Sequence, residues 1–301
     1  AAALPLDEAT RAHVVEVAKR GVALGRNPRS FGLVGDSITV SRDFLWAFSS
    51  ASRGAVSVDP ELAPSLALPS GTSVIDFFRG SPVESRDGVP HDPFSAFRAA
   101  KVGARAPWAT EGGEASPVAR LVTSVNPAIA VVSYGANDAA FRTAPPEELA
   151  DEFERGLVGV VRELEARGVV VVVENEMRHG DQPGIKACPA DDPMVNDWRL
   201  AVCTNANAAR AAEIALRDHL PFVDVRYALD AATNRGLGPD GVHLSVYGRG
   251  GGVLTREGLD CGYNIRSLVT LLELRQVVGA LEEEGVFARY DSSSHTTEPT
   301  R

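Results

Sequence analysis

Gly168 divides two segments that together restrict the fold more than any other part of the chain. Before it, Leu149, Phe153, Leu157, Val160, Val161 and Leu164 recur at three- and four-residue spacing, the stripe of an amphipathic helix. After it come five consecutive valines, Val169 to Val173. A β-branched run that is apolar on both faces reads as a strand covered on both sides. A second such run, Ala128 to Tyr134, lies before the helix, bounded by Asn126-Pro127 and by Gly135. Strand, helix and strand in that order predict a parallel pair, because the helix carries the chain back to the same end of the sheet.

The remaining pattern agrees. Pro5-Leu6-Asp7-Glu8 opens a helix carried by Val14, Val17, Ala18 and Val22 and stopped by Gly25-Arg26-Asn27-Pro28. Phe31 to Val34 reads as a short buried strand ending in Gly35-Asp36-Ser37. Further helices are expected at Ser116 to Ser124, Thr204 to His219 and Asn264 to Glu284, and a short strand at Pro221 to Asp224. Residues 50–93, rich in Pro, Ser and Gly, read as an irregular excursion with a strand candidate at Thr72 to Phe78. The alternation predicts an α/β fold with a central parallel sheet covered on both faces. No repeat or composition shift marks a second domain, so residues 1–290 read as one α/β domain. Residues 291–301, rich in Ser, Thr, Pro and Glu, read as a disordered tail.

With 30 Lys+Arg against 40 Asp+Glu, the formal charge is −10. That balance argues against a nucleic-acid partner, which needs a basic stripe, and favours small or neutral substrates. No run of 18 apolar residues exists, so no integral membrane helix is expected. The chain starts at Ala1 without a leader. A disulfide between Cys188 and Cys203 would close a short loop and stabilise by roughly 3 kcal/mol. The expectation is therefore an exported protein with its signal peptide removed, a cytoplasmic location staying open. Three free thiols are the alternative. Oligomeric state is not encoded.

In parallel sheets ligands bind outside the carboxyl ends of the strands. At the first such exit stands Gly35-Asp36-Ser37. A serine opening a helix after a strand exposes its hydroxyl beside free backbone N–H groups, which favour an anion forming there. Composition alone gives this triplet in roughly one chain in ten of this length, so alone it decides nothing. Thr39 stands where a Gly-x-Ser-x-Gly elbow would need glycine. The second exit carries Gly135-Ala136-Asn137-Asp138, whose Asn137 amide is able to donate to an oxyanion. Further on, Asp240-Gly241-Val242-His243 spaces a carboxylate to reach back to the imidazole Nδ1–H and leave Nε2 as a base. Each element has a bland reading: an N-cap serine, an Asn-Asp turn and a surface turn. Together, in this order and on one edge, they make an acyl-transfer set.

Through these three motifs the sequence resembles the SGNH, or GDSL-type, hydrolase family over roughly residues 30–250. The resemblance implies a flavodoxin-like three-layer α/β/α fold and hydrolysis of esters or thioesters without cofactor or metal. It implies Ser37 as nucleophile, His243 as general base and Asp240 as its orienting partner. The oxyanion hole would combine the Ser37 N–H, the Asn137 amide and the N–H of a glycine from the family's second motif. The best match is Gly103, outside the usual Asn-x-Gly form, with Gly71 and Gly80 as fallbacks. Asp36 and Asp138 are expected to hold turns. His179 reads as loop surface, with the cleft wall as the alternative.

Three segments exceed what a minimal member needs: Ser37 to Gly103, Gly248 to Gly262, and residues 176–203, which hold Trp198 and the two cysteines. They are expected to shape the pocket; a calcium ion in the 188–203 loop has only weak support, and no metal is expected. The favoured substrates are short acyl (acetyl) esters, with a glycan as one carrier of them. Alternatives are a lipase- or thioesterase-like activity on longer acyl groups, a catalytically silent glycan-binding module, and an unrelated flavodoxin-like binding domain.

Overall fold

The computed structural model describes residues 5–52, 54–86, 88–140, 144–179 and 197–287, with only the backbone at Arg86 and 197–203. Helix α1 (Glu8–Ala23) begins at Asp7, whose carboxylate accepts the Thr10 N–H at 2.7 Å. Strand β1 (Asn27–Gly35) leads into the short helix α2 (Ser37–Val40). The excursion that follows holds β2 (Ser57–Val58), α3 (Val74–Arg79), the antiparallel pair β3 (Glu84–Arg86) and β4 (Val89–His91), and then β5 (Ala99–Ala100). Next come α4 (Pro117–Val125), β6 (Pro127–Ser133), α5 (Ala136–Ala139), α6 (Pro146–Ala166) and β7 (Val170–Glu174). The chain continues through α7 (Asp197–Arg217), β8 (Phe222–Val223), α8 (Val225–Leu229), β9 (Val253–Leu254) and α9 (Gly262–Glu283).

Five strands form a wholly parallel sheet in the order β5-β1-β6-β7-β8. Alternate residues of each strand feed opposite layers, as the two-residue period of a strand requires. Phe31, Leu33, Ile129, Val131, Val170 and Val172 pack with α1, α3 and α9. Val34, Ala130, Val132, Val171 and Val173 pack with α4, α6 and α7. The result is the three-layer α/β/α architecture expected from the sequence. Burying each Val, Leu or Phe contributes about 1.5–3 kcal/mol, so the valine run is held from both sides.

Two sequence expectations are corrected. Thr72 to Phe78 is not a strand: Ser73 accepts the Asp76 N–H and caps α3, which buries Val74, Ile75, Phe77 and Phe78. Those four positions also match one face of a helix, and the capping serine decides between the periods. Strand β1 starts at Asn27, four residues before the apolar run, with its register to β6 shifting between Asn27 and Phe31. The proposed tail and Cys188 lie outside the described residues, and of Cys203 only the backbone is described, so the bridge and the calcium site fall outside as well. Cys261 is a free, half-buried thiol.

Candidate active site

The sheet register brings the motifs to one edge. Gly35 lies beside Ala100 on one side and Ser133 on the other, and Ser133 lies beside Glu174. The residues that follow these four therefore leave the sheet together. Asp36 caps α2 by accepting the Ile38 N–H at 3.1 Å, which sets Ser37 as the first helical residue.

Ser37 and the Asp240–His243 turn meet, although 206 residues separate serine from histidine. The turn is closed by a bridge between Leu237 and Leu244 and by the Gly238 N–H on the His243 carbonyl at 2.8 Å. Asp240 Oδ1 accepts the backbone N–H groups of Val242 and His243 at 3.0 and 2.9 Å, and Oδ2 accepts His243 Nδ1–H at 2.7 Å. His243 Nε2 in turn accepts the Ser37 hydroxyl at 3.2 Å. Partial burial works to raise the Asp240 carboxyl, but the hydrogen bonds from His243 and Val242 outweigh it and hold it below its ordinary value. Both side chains stay open to solvent, 47 % for His243 and 53 % for Asp240.

Asn137 Nδ2 donates to Asp36 Oδ2 at 2.8 Å, which fixes the amide plane and leaves its second N–H for another acceptor. Gly103 lies in the turn that follows β5, with φ +75° and open space where a Cβ would stand. The fallback glycines use their N–H groups locally: Gly71 on Leu68 and Gly80 on Asp76. That removes both as oxyanion donors. The Asp138 carboxylate accepts the Ala106 N–H at 3.1 Å and so ties the segment after Gly103 to the Asn137 turn.

Beneath this edge lies a buried charged layer that motif reading did not find. Arg266 gives Nε and Nη2 to Glu174 at 2.9 and 2.8 Å, and Nη2 also to Thr39 Oγ1 at 3.1 Å. Arg98 holds the loop after α2 by donating to the carbonyls of Thr39, Ser41 and Phe44 at 2.6, 2.8 and 2.9 Å. Burial pushes Asp36 up to about 6, against the Ile38 N–H, Arg266 and the Asn137 amide. Burial likewise pushes Asp138 up to about 7, opposed by the Ala106 N–H. The available signal was two acids, Glu174 and Glu176, at the end of an apolar strand on this edge.

His179 is buried, not loop surface, and burial brings it down to about 4, with the charges of Arg226 and His243 adding to the effect. His13 pairs with Glu165 at 2.6 Å on the far side. Two of the long insertions interlock: β2 and β9 pair in parallel, and Gly251 lies against Asp43, where a Cβ would stand 1.9 Å from the carbonyl oxygen. Asn264 fastens the same loop by donating to the Gly250 and Val253 carbonyls. Among the described residues, no three His, Cys, Asp or Glu side chains are grouped to hold a metal ion, and no helix is long and apolar enough to cross a membrane.

Several solved structures are similar to this one. An acetylxylan esterase from Geobacillus stearothermophilus is 17% identical, with 81% of this chain and 93% of that chain covered and a TM-score of 0.46. A lipase/acylhydrolase from Enterococcus faecalis is 17% identical, with 82% and 95% covered and a TM-score of 0.45. A GDSL-like lipase from Bacteroides thetaiotaomicron is 16% identical, with 93% and 99% covered and a TM-score of 0.42. No curated protein matches the chain in sequence. The family model for GDSL-like lipases and acylhydrolases matches residues 33–249, from the end of β1 to just past the Asp240–His243 turn. Spanning more than half of the sequence, that match means that the chain belongs to the GDSL-like lipase/acylhydrolase family and is a carboxylic ester hydrolase.

Proposed function

We propose that the protein hydrolyses short acyl esters, acetyl esters first among them, through an acyl-enzyme on Ser37. The unbroken line from Ser37 Oγ through His243 to Asp240, at 3.2 and 2.7 Å, carries this reading. Ser37 Oγ attacks the ester carbonyl while His243 Nε2 takes its proton. Asp240 holds the imidazole with Nδ1–H inward and stabilises the imidazolium. The oxyanion is met by the N–H groups of Ser37 and Gly103 and by the Asn137 amide, a donor of a kind worth about 2.7–4 kcal/mol in the transition state. His243 returns the proton to the leaving alcohol, and a water activated by the same imidazole releases the acid. The open His243 and Asp240 suit an ester displayed on a larger polar molecule such as a glycan.

A second reading, longer acyl chains, is favoured by exposed valines at the same edge. Val102 beside Gly103 is 67 % exposed, and Val242 and Val246 are 40 % and 52 % exposed. Export belongs to the proposal through Cys188 and Cys203, and thiol counting of the unfolded protein before and after reduction tests it.

Hydrolysis of p-nitrophenyl acetate, butyrate and octanoate by wild type and Ser37→Ala decides among these. Acetate turnover that collapses in the variant supports the short-acyl reading, and a profile peaking at octanoate supports the second. Equal activity in both proteins refutes Ser37 as nucleophile. No turnover of these esters or of acetylated glycans, with retained glycan binding, identifies a silent binding module.

A further inference from the structure

We propose that Glu176 is a positioning residue that works as a neutral carboxylic acid, bracing the Gly135–Asn137 turn from behind so that the Asn137 amide stays aimed at the reacting carbonyl. The proposal rests on the ester-hydrolase reading of this edge.

Glu176 lies two residues beyond the end of β7, and Gly135 two residues beyond the end of β6. Because Glu174 pairs with Ser133, the two continue side by side out of the sheet. Gly135 has φ +145° and ψ −35°, a conformation that L side chains rarely adopt, and it caps the short helix that carries Asn137. A Cβ built on Gly135 would lie 3.0 Å from Glu176 Cγ and 3.5 Å from Asn207 Cβ. Asn207 Nδ2 also donates to the Gly135 carbonyl at 2.8 Å. Glu176 and Asn207 are thus the two side chains against which this turn is formed.

The carboxyl group of Glu176 has an unusual setting. The residue is 1 % exposed, and neither side-chain oxygen is hydrogen-bonded to a described residue. Asn207 Oδ1, beside the same glycine, is a buried acceptor without a donor among the described residues. An ionised carboxylate only accepts, whereas a protonated one carries a donor that such an acceptor needs. Most of the charges around it point the same way. Asp36 on the β1–α2 turn, Asp138 on α5 and Glu174 on β7 are acidic. Arg266 on α9 opposes them with its positive charge, but it spends Nε and Nη2 on Glu174 and Thr39, and none of its N–H groups, the unpartnered Nη1 included, is hydrogen-bonded to Glu176. Arg226 on α8 reaches the Glu176 backbone carbonyl at 3.0 Å and not its side chain, and His179, on the same segment, is held neutral by burial. Burial first, and then the Asp36 charge, raise the Glu176 carboxyl well above its ordinary value against the Arg266 charge.

The functional consequence follows from Asp36, which accepts the Asn137 amide. Ionising Glu176 sets a second uncompensated charge near that carboxylate and removes the donor behind Gly135. Oxyanion stabilisation then weakens on the alkaline side while substrate binding is spared.

Two measurements test this on the full chain. The infrared difference spectrum between wild type and Glu176→Gln at neutral pH is expected to contain the C=O band of a protonated carboxyl, lost as pH rises. With an ester that Ser37→Ala does not hydrolyse, wild-type kcat is expected to fall over the same pH range. Glu176→Gln should abolish that fall and keep most of kcat. Glu176→Ala should lose about ten- to a hundredfold in kcat at unchanged KM, the scale of a misplacement of about 1 Å. An absent carboxyl band, a Gln profile identical to wild type, or a loss confined to KM overturns the proposal. The spectrum needs no turnover, so it judges Glu176 separately from the ester-hydrolase reading, which fails only if hydrolysis persists without Ser37.

Discussion

Arg266→Met removes one partner of an ion pair in which neither side chain has exposed surface. The guanidinium places two N–H groups on one Glu174 oxygen, reaches Thr39 in α2, and lies 3.8 Å above the Phe44 ring. After the substitution, Glu174 keeps, among the described residues, only the Thr270 hydroxyl. A buried carboxylate left so is expected to cost about 3–5 kcal/mol, because its desolvation is no longer offset. Adding Glu174→Gln removes the stranded charge. The double variant should then lie within about 2 kcal/mol of wild type, the remainder being the lost contact with Phe44. Equilibrium urea denaturation of wild type, both single variants and the double variant measures the cycle. A single-variant cost under about 1 kcal/mol, or costs that simply add in the double variant, would refute the reasoning. The same substitution removes a positive charge that lowers Asp36, so the Asp36 carboxyl should titrate higher still in Arg266→Met.

On the proposed role of its amide at the oxyanion, Asn137→Ala should reduce kcat about 10²–10³-fold with KM little changed; a loss in KM alone contradicts this. Burial raises Glu273 from 4.5 to about 8. From pH 4.5 upward the unfolded chain gives up a proton that the folded chain retains, so stability from this group falls until about pH 8 and then levels off. Glu273→Gln should therefore stabilise more at pH 8 than at pH 5, the difference growing by at most about 1.4 kcal/mol for each pH unit crossed; equal Tm gains at both pH values would count against it. Gly251→Ala forces a methyl group into the Asp43 carbonyl. It should cost more than the about 0.5 kcal/mol of an ordinary surface change, and an unchanged Tm would disprove the close approach.

The parts of the molecule legible from sequence were those whose signal is local. The valine strand, its preceding helix and the strand before them follow from periodicity, and both α6 and β7 lie within two residues of where the pattern puts them. The motifs ending in Ser37, Asn137 and His243 were legible because a strand exit, a turn and an i, i+3 pair are each written in a few neighbouring residues. Thr72 to Phe78 failed because seven residues of mostly apolar sequence satisfy two periods at once, and a single serine decides between them. The charged layer under the site was not legible at all. Glu174 and Arg266 are 92 residues apart, and Arg98 looks like any surface arginine until four carbonyls surround it. Asn207 is similar: it sits in an Ala- and Asn-rich helix, and nothing near it in sequence indicates Gly135.

The pairing of β2 with β9 has a consequence for how this site changes over time or in the laboratory. Ser57-Val58 and Val253-Leu254 belong to two insertions almost two hundred residues apart, one following Ser37 and the other following His243. Each supplies the backbone partners of the other, and Gly251 and Gly252 fit only because Asp43, Ala47 and Ala55 leave no room for a side chain. Neither loop is an independent module. Lengthening, shortening or transplanting one of them strands the hydrogen-bonding edge of its mate, so in this chain the two loops can be altered only as a matched set.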